Sequence, residues 1–365
     1  MEHLIDFNDM PLSEWDAMYS LFRDILHRPG DYADALRGKL IANLFFEPST
    51  RTSFSFQGAM LRLGGGVFGF SDPGASSVSK GERLKDTVMM CSSYADLLVM
   101  RNPKEGAAKA ASLYAACPVI NAGDGGHLHP TQTLTDLATI LQLRGRLTGL
   151  NIGLCGDLKN GRTIHSLIKA LSRYEGNRFY LISPRELEMP AYIRDFLKQK
   201  EQAYVEVLGL EPTMPQLDVL YMTRIQRERF DDPAAYERLK NVYTLNAQKM
   251  KLGRNDLIVM HPLPRVDEIH MDMDGDPRAA YFKQARYGMF VRMALLLTLS
   301  KRGWSEPEFL PPNRSGHACD NPNCITGYEA YLPERRREEG GRVYCGYCDK
   351  EISAFPEETS DKTGI

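Results

Sequence analysis

Between about residues 38 and 265 the chain repeats one pattern: a short apolar run, a turn, then a stretch with helical spacing. The runs at 39–46, 95–100, 118–121, 150–155, 179–182, 218–222 and 257–260 carry Val, Ile, Leu and Phe without polar alternation. Strands covered on both faces read this way. The stretches at 53–63, 81–93, 104–115, 131–143 and 163–173 read as helices. Strand and helix in alternation predict an α/β architecture with parallel sheets. Three of these runs, with a fourth strand expected beside them, precede the helix over 131–143, and at least four strands are expected after it. Two doubly wound sheets bridged by that helix therefore fit better than one. A long amphipathic helix is expected over 280–301, stopped by Gly303 and Pro307, and 306–315, with Pro311 and Pro312, reads as a linker.

Composition narrows the picture a little. At 365 residues, 43% hydrophobic and 25% charged, the chain has the make-up of an ordinary folded protein of two or three domains. A formal net charge of −2 argues against a nucleic-acid or membrane-surface binder, so any anion site must be assembled locally. No apolar run reaches the roughly 18–20 residues that span a bilayer. The longest, 289–299, is broken by Arg292 and reads as a helix in a core. The first six residues lack a basic region followed by an apolar one, so no signal peptide is expected and the cytoplasm is the expected compartment. Of seven cysteines, Cys91, Cys117 and Cys155 are scattered in apolar stretches as small hydrophobes. Cys319, Cys324, Cys345 and Cys348 crowd together near the end, which in a reducing compartment points to a metal before disulfides.

The candidate chemistry lies in the loops after the strands. In Phe45-Phe46-Glu47-Pro48-Ser49-Thr50-Arg51-Thr52 a strand ends, Pro48 breaks it, and hydroxyl residues cap the next helix. The first N–H groups of a helix have no internal partner and its dipole is positive there. With Arg51 and three hydroxyls, the segment reads either as a phosphate cradle or as an ordinary capped helix with a solvated arginine. The loop from Gly156 to Thr163 nearly matches the P-loop pattern G-x-x-x-x-G-K-[ST], but Arg162 stands where the lysine belongs. No later strand ends in an Asp for Mg²⁺, since Asp218 opens its strand instead. A guanidinium fork favours bidentate binding of carboxylate or phosphate.

A glycine-rich turn over 121–126 leads through His127 and His129 to Pro130 at a helix start. The two histidines lack further ligands at metal spacing, and a histidine before a helix N-terminus is favoured as a neutral ring. Arg101, Arg224 and the segment His261-Pro262-Leu263-Pro264-Arg265 complete the set. Ligands of open α/β sheets bind beyond the carboxyl ends of strands, where all of these residues fall.

Taken together, the segments 46–54, 99–106, 121–136, 156–166, 221–228 and 261–269 resemble the catalytic chain of the aspartate carbamoyltransferase family, over about residues 4 to 303. The resemblance implies a carbamoyl-phosphate-binding domain over 1–133, an aspartate-binding domain over 134–283 and a helix over 284–305 returning to the first domain. It implies that Ser49, Thr50, Arg51 and Thr52 bind phosphate and that Arg101, His129 and Gln132 surround the carbamoyl group. Arg162, Arg224 and Gln226 match residues that hold the aspartate carboxylates, and Pro262 and Leu263 the pair whose backbone meets the carbamoyl nitrogen. The loop over 75–82 resembles one that enters a neighbouring subunit's site with Ser76 and Lys80, which implies a homotrimer with shared sites. Asn102 stands where histidine is common in the family, but Arg101 is kept.

The expected reaction is transfer of the carbamoyl group of carbamoyl phosphate to L-aspartate, the second step of de novo pyrimidine biosynthesis, without an organic cofactor. Arg101, Thr52 and His129 are expected to act on the carbonyl oxygen, and Arg51 and Lys80 on the departing phosphate. His129 is expected to be a neutral donor and not the base. Ornithine enzymes are expected to carry His-Cys-Leu-Pro where this chain has His261-Pro262-Leu263-Pro264, and Arg162 and Arg224 would repel ornithine's ammonium. Nucleic acid and membrane are not expected as partners. Two further readings stay open: a catalytically silent scaffold recruiting a partner, or another carbamoyltransferase such as the ornithine enzyme.

The last cysteines form a C-x4-C…C-x2-C set, which suits a closed tetrahedral structural zinc site; iron is not excluded by the spacing. A segment this small, expected over 316–356, buries little core, so metal would supply much of its folding energy. It resembles the zinc domain of the family's regulatory chain, including Cys324-Ile325 and the run from Tyr347 to Glu351. The nucleotide-binding domain that precedes it there is missing here, so no nucleotide effector site of that kind is expected.

Overall fold

The computed structural model describes residues 1–72, 74, 77–225, 243–306 and 319–352, with only the backbone of Ser77 and Val78. Ser76, Gln226 and the expected linker beyond residue 306 lie outside the described residues. The first half runs α1 (Leu12–His27), β1 (Leu40–Phe45), α2 (Thr50–Arg62), β2 (Gly66–Phe70), α3 (Leu84–Tyr94), β3 (Leu97–Asn102), α4 (Ala107–Ser112) and β4 (Val119–Asp124). Its strands are parallel, in the order β2-β1-β3-β4. Next come α5 (Pro130–Arg144), β5 (Asn151–Cys155), α6 (Arg162–Leu171), β6 (Arg178–Ile182), α7 (Ala191–Gln199), β7 (Ala203–Val207), β8 (Val219–Met222), α8 (Ala247–Met250) and β9 (Ile258–Met260). These five strands are also parallel, in the order β7-β6-β5-β8-β9. α9 (Tyr281–Leu299) and an antiparallel hairpin of β10 (Arg336–Glu339) and β11 (Arg342–Cys345) follow.

Each sheet changes winding direction once, between β1 and β3 in the first and between β5 and β8 in the second. A crevice opens at such a point, because the connections on either side leave to opposite faces. Every candidate loop except the 75–82 loop, the glycine-rich turn and the 261–265 segment leaves one of these four strands. Residues 41–45 of β1, 152–155 of β5 and 219–222 of β8 are buried, as unbroken apolar runs require.

The two sheets follow the expectation, and the differences have physical reasons. β2 (GVFGF) is only half-buried and β7 (AYVEV) is an exposed edge, so neither offers a solid apolar run. α1 buries Trp15, Met18, Phe22 and Ile25, a three-and-four spacing that lies before the repeat begins. α2 starts at Thr50, ahead of the expected 53, so the hydroxyl motif forms its first turn. The helix expected over 280–301 is present, but it is not amphipathic. Phe282, Lys283, Ala285 and Arg286 face solvent near its start, whereas every residue from 290 to 296 is buried, because α1, α2 and α5 pack around it.

One apolar cluster runs from α1 and β1 through α5 and α9 to β5, β6 and α6, tying the two sheets together. A second lies on the other face of the first sheet and takes in Ile325, Leu332 and Tyr347 of the C-terminal module. The module thus shares a core with the first sheet, which relieves the shortage of apolar area in so short a segment. Its docking is close. Gly106 caps α4 at φ 83°, and a Cβ there would meet the Tyr347 backbone at 2.7 Å. Next to it, Glu105 N donates to Asn323 O and Ile325 N to Glu105 O, both at 2.9 Å. The Glu105 carboxylate takes Asn321 Nδ2 at 2.7 Å and lies 3.1 Å from Lys350 Nζ.

Candidate active site and metal centre

The N-cap of α2 is Ser49, whose side chain makes no capping bond, so the first N–H groups of the helix are not satisfied from within it. Thr50 and Arg51 are exposed and Thr52 is buried at the same turn. Partial burial and the nearby charge of Arg101 both lower the Arg51 pKa. Arg101 itself, near the end of β3, lies 3.2 Å from Glu47 Oε2 without hydrogen-bond alignment. Glu47 holds this arginine and was not singled out by its sequence context.

Gly123 in β4 brings the first sheet's arginine to the second sheet's. At φ 124° it has no side chain, and a Cβ there would sit 3.3 Å from Arg101 Nη1 and 3.5 Å from Arg162 Nη2. Glycine at this position lets both guanidinium groups close on the same backbone. Arg162, the first residue of α6, also donates from Nη1 to Gly125 O. Burial, then Arg101, lowers its pKa. Like charges thus gather from two sheets in a chain of net charge −2, with Glu47, Asp124 and Glu105 acting on Arg162 in the opposite sense.

His129 is the N-cap of α5 and only 6% exposed. Burial, then Arg162, Arg101 and Arg292, hold its pKa well below the ordinary value, so the ring is neutral. A chain of polar groups reaches its ring. Buried Arg292 of α9 can only donate, and its Nη2 lies 3.5 Å from Thr131 Oγ1, which in turn lies 3.5 Å from His129 Nδ1. With Thr131 donating to Nδ1, the ring proton is on Nε2. Thr131 and Arg292 had no signal as site residues beyond a charge interrupting an apolar run.

One turn further along α5, Gln132 Nε2 donates to Asp136 Oδ1 at 2.7 Å. Asp136 is fully buried and also receives Tyr221 OH at 2.9 Å and Gln284 Nε2 at 2.6 Å. Burial pushes its carboxyl up to about 7, against the opposite pull of these three bonds and of Arg292. Gln284 Oε1 accepts from His261 N at 2.9 Å, and His261 Nδ1 accepts from Leu263 N at 2.7 Å. This bond holds Leu263 at φ 55°, with a cis peptide to Pro264 after it, while His261 Nε2 lies 2.8 Å from Glu268 Oε1. Pro262 and Leu263 are half-buried beyond β9, and Arg224 is half-buried just past β8. Lys80 is exposed at the end of the short helix Ser77–Lys80.

His127 is no metal ligand here. Its Nδ1 lies 3.0 Å from Asp124 Oδ2 and its Nε2 3.0 Å from Asp349 Oδ2, so it bridges the glycine-rich turn to the C-terminal module. Burial opposes its charge, but the two carboxylates raise its pKa to about 10. The four late cysteines do form one cluster, with all Sγ atoms within 4.8 Å of one another. The Cys319–Cys348 and Cys324–Cys345 separations are both 3.7 Å. Thiolates at about 2.3 Å from an ion at the centre of a tetrahedron would be about 3.8 Å apart, so the donor set fits a four-coordinate metal.

Residues 2–142 match the family model described as aspartate/ornithine carbamoyltransferase, carbamoyl-P binding domain, and residues 148–299 match its Asp/Orn binding domain. Both end before the cysteine cluster. An aspartate carbamoyltransferase catalytic subunit of Clostridium perfringens is 58% identical over 299 residues, covering 82% of this chain and 97% of the relative. Among solved structures, the catalytic subunit of M. jannaschii aspartate transcarbamoylase is similar at 47% identity and a TM-score of 0.79, covering 82% of this chain and 98% of that one. The Trypanosoma cruzi enzyme in complex with carbamoyl phosphate and aspartate is similar at 41% identity and a TM-score of 0.76, covering 82% and 96%. Matched along both sheets by model, sequence and structure, the chain belongs to the aspartate carbamoyltransferase family.

Proposed function

We propose that this chain transfers the carbamoyl group of carbamoyl phosphate to the α-amine of L-aspartate, yielding N-carbamoyl-L-aspartate and phosphate. The observation that carries this is the convergence of Arg101 and Arg162 on Gly123, beside a neutral His129. Two anionic substrates that must react need cations from two sides of one cleft, and these arginines come from different sheets. The domains taking carbamoyl phosphate and aspartate would span 1–133 and 134–283, with 284–305 returning to the first.

In this reading the first turn of α2, with Ser49, Thr50, Arg51 and Thr52, binds the phosphate. The deprotonated amine attacks the carbamoyl carbon, a C–N bond forms and the carbonyl oxygen takes the charge. Collapse then breaks the bond to the phosphate oxygen, and phosphate leaves, taking up the amine proton. Arg101, Thr52 and the Nε2–H of His129 donate to the oxyanion, and one such donor is worth about 3–4 kcal/mol. Arg162, Arg224 and Gln226 orient the dicarboxylate, so that the encounter is effectively intramolecular. Gln132 and the carbonyls of Pro262 and Leu263 face the carbamoyl nitrogen. A second carboxylate suits Arg162 and Arg224, whereas ornithine's ammonium does not, which favours aspartate as the acceptor.

Lys80, exposed at the end of its short helix, is suited to reach a neighbouring subunit together with Ser76, in a homotrimer with shared sites. The four-cysteine cluster would hold zinc, closed and structural, with Cys319, Cys324, Cys345 and Cys348 as ligands; it takes no part in the chemistry. The product places the enzyme at the second step of pyrimidine synthesis, and buried unpaired thiols at Cys91, Cys117 and Cys155 suit a reducing compartment such as the cytoplasm. The test is phosphate release from carbamoyl phosphate with aspartate and ornithine supplied separately. Turnover with aspartate alone is expected. Turnover with ornithine alone, or with neither, would sink the reading.

A further inference from the structure

We propose that Asp136 is the positioning residue that makes the site read the carbamoyl –NH2 group as a hydrogen-bond donor, by fixing which end of the Gln132 amide faces the substrate. This rests on the reaction proposed above and names what selects its acyl group.

Among the described residues the direct partners of the buried Asp136 carboxylate are all donors: Gln132 Nε2 and Gln284 Nε2 on Oδ1, and Tyr221 OH on Oδ2. The His261 N–H fixes Gln284 with Nε2 toward Asp136, so Oδ1 is an acceptor, and it holds both amides with nitrogen toward Asp136 and oxygen away from it. The outward Oε1 of Gln284 accepts from the His261 backbone N–H at 2.9 Å. The outward Oε1 of half-buried Gln132 has the same orientation and is therefore an acceptor for a bound N–H.

The same carboxylate acts on a second set of acceptors. Through Gln284 it holds His261 N, and His261 Nδ1 holds Leu263 N at 2.7 Å, which sets the turn carrying the Pro262 and Leu263 carbonyls. Tyr221 ties the hub to β8 of the second sheet. One buried group thus organises acceptors from α5 and from the turn after β9. An acyl phosphate with a methyl group in place of –NH2 has the same shape and phosphate but nothing to donate. A site built to bond an N–H can reject such an analogue by as much as about 10⁴-fold, since its own buried acceptors are left unpaired.

The experiment compares equilibrium binding of carbamoyl phosphate, acetyl phosphate and inorganic phosphate to the full-length metal-loaded protein and to its Asp136→Leu, Asp136→Asn and Tyr221→Phe variants. In the unaltered protein, carbamoyl phosphate should bind more tightly than acetyl phosphate. If it does not, and there is no turnover with aspartate, the functional reading itself fails; if turnover persists without that preference, only the present proposal fails. In Asp136→Leu the preference should drop by about tenfold or more, the loss of roughly one hydrogen bond in a buried site, while inorganic phosphate binding stays within about twofold. Asp136→Asn retains an oxygen for both amides and should recover most of the preference. A folded Asp136→Leu protein with the original preference, or one losing all three ligands equally, overturns the proposal. Should Asp136→Leu not fold, Tyr221→Phe decides at little cost in packing, because losing that bond favours the protonated carboxyl, which can donate to Gln132 Oε1 and turn its amide. A fall in preference of about threefold supports the proposal and an unchanged preference overturns it.

Discussion

His129 carries the residue-scale argument, because its protonation state follows from its neighbours. With Arg162, Arg101 and Arg292 nearby and the ring buried, protonation would add a further positive charge to an already positive cleft. We expect ¹⁵N NMR to find the ring neutral, with the proton on Nε2, throughout pH 6 to 8; a transition near pH 6.5 would contradict this. His129→Ala should lower kcat by about 10²–10³, the usual effect of deleting one oxyanion donor. His165 offers a second test. Burial pushes it down to about 4, with Nε2 2.7 Å from Leu158 O and Tyr192 OH on Nδ1. The unfolded chain takes up this proton near pH 6.5 and the folded one only near 4, so stability is present above 6.5 and is lost as pH falls between the two. The slope amounts to about 3 kcal/mol over that window. Urea unfolding of the protein and of His165→Gln, compared at pH 7 and 5, should show the variant lacking that loss; parallel slopes would refute it. His129's neutrality was legible from Pro130 behind it. The Arg292–Thr131 chain that reaches its ring was not, because it joins residues 161 positions apart.

At the scale of elements, α4 and its cap show how one backbone conformation decides a boundary. The expected helix over 104–115 begins only at Ala107, since Gly106 is left-handed and lies against Tyr347. Gly106→Ala should therefore strain φ and push the module away, at a cost of about 1–3 kcal/mol. Hydrogen exchange should quicken across 319–352 while the two sheets keep their protection. Unchanged exchange in the module would show that the contact does not hold it. Strands buried on both faces announced themselves, as did α2 to α6, whereas α7 and α8 did not. β2 and β7 did not, because half-buried and edge strands mix glycine and charge into the run. α9 was legible as a helix but not as a buried one, since the number of neighbours around a helix is no property of its own residues.

At the scale of the whole molecule, the C-terminal module and the first sheet share one apolar core. They share a cluster that includes Tyr114, Leu332 and Tyr347, and His127 sits between Asp124 and Asp349 across the junction. Metal removal should act beyond the ligands. Chelation is expected to make four thiols reactive, lower the Tm, and speed hydrogen exchange in 319–352 and in the docking residues 104–111. If the metal-free protein keeps full protection in both regions, the metal does not hold the fold there. The anion cleft is the other property of this scale. Net charge spoke against nucleic acid and membrane surfaces and left any anion site to be built locally, and Gly123 leaves room for the Arg101 and Arg162 guanidinium groups on one stretch of backbone.

The sequence by itself determined the two parallel sheets, the loops beyond their strand ends, the arginine and hydroxyl motifs in those loops and the four clustered cysteines that fit a metal. Each of these depends on local spacing, which the order of residues carries directly. Only the tertiary structure decided that Glu47 faces Arg101, that Arg292 reaches Thr131, that Asp136 gathers Gln132, Tyr221 and Gln284, and that the module shares its core with the first sheet. Those contacts join residues far apart in the chain, and their energy comes from burial together. No local pattern can express which distant side chain will be left to satisfy a buried charge.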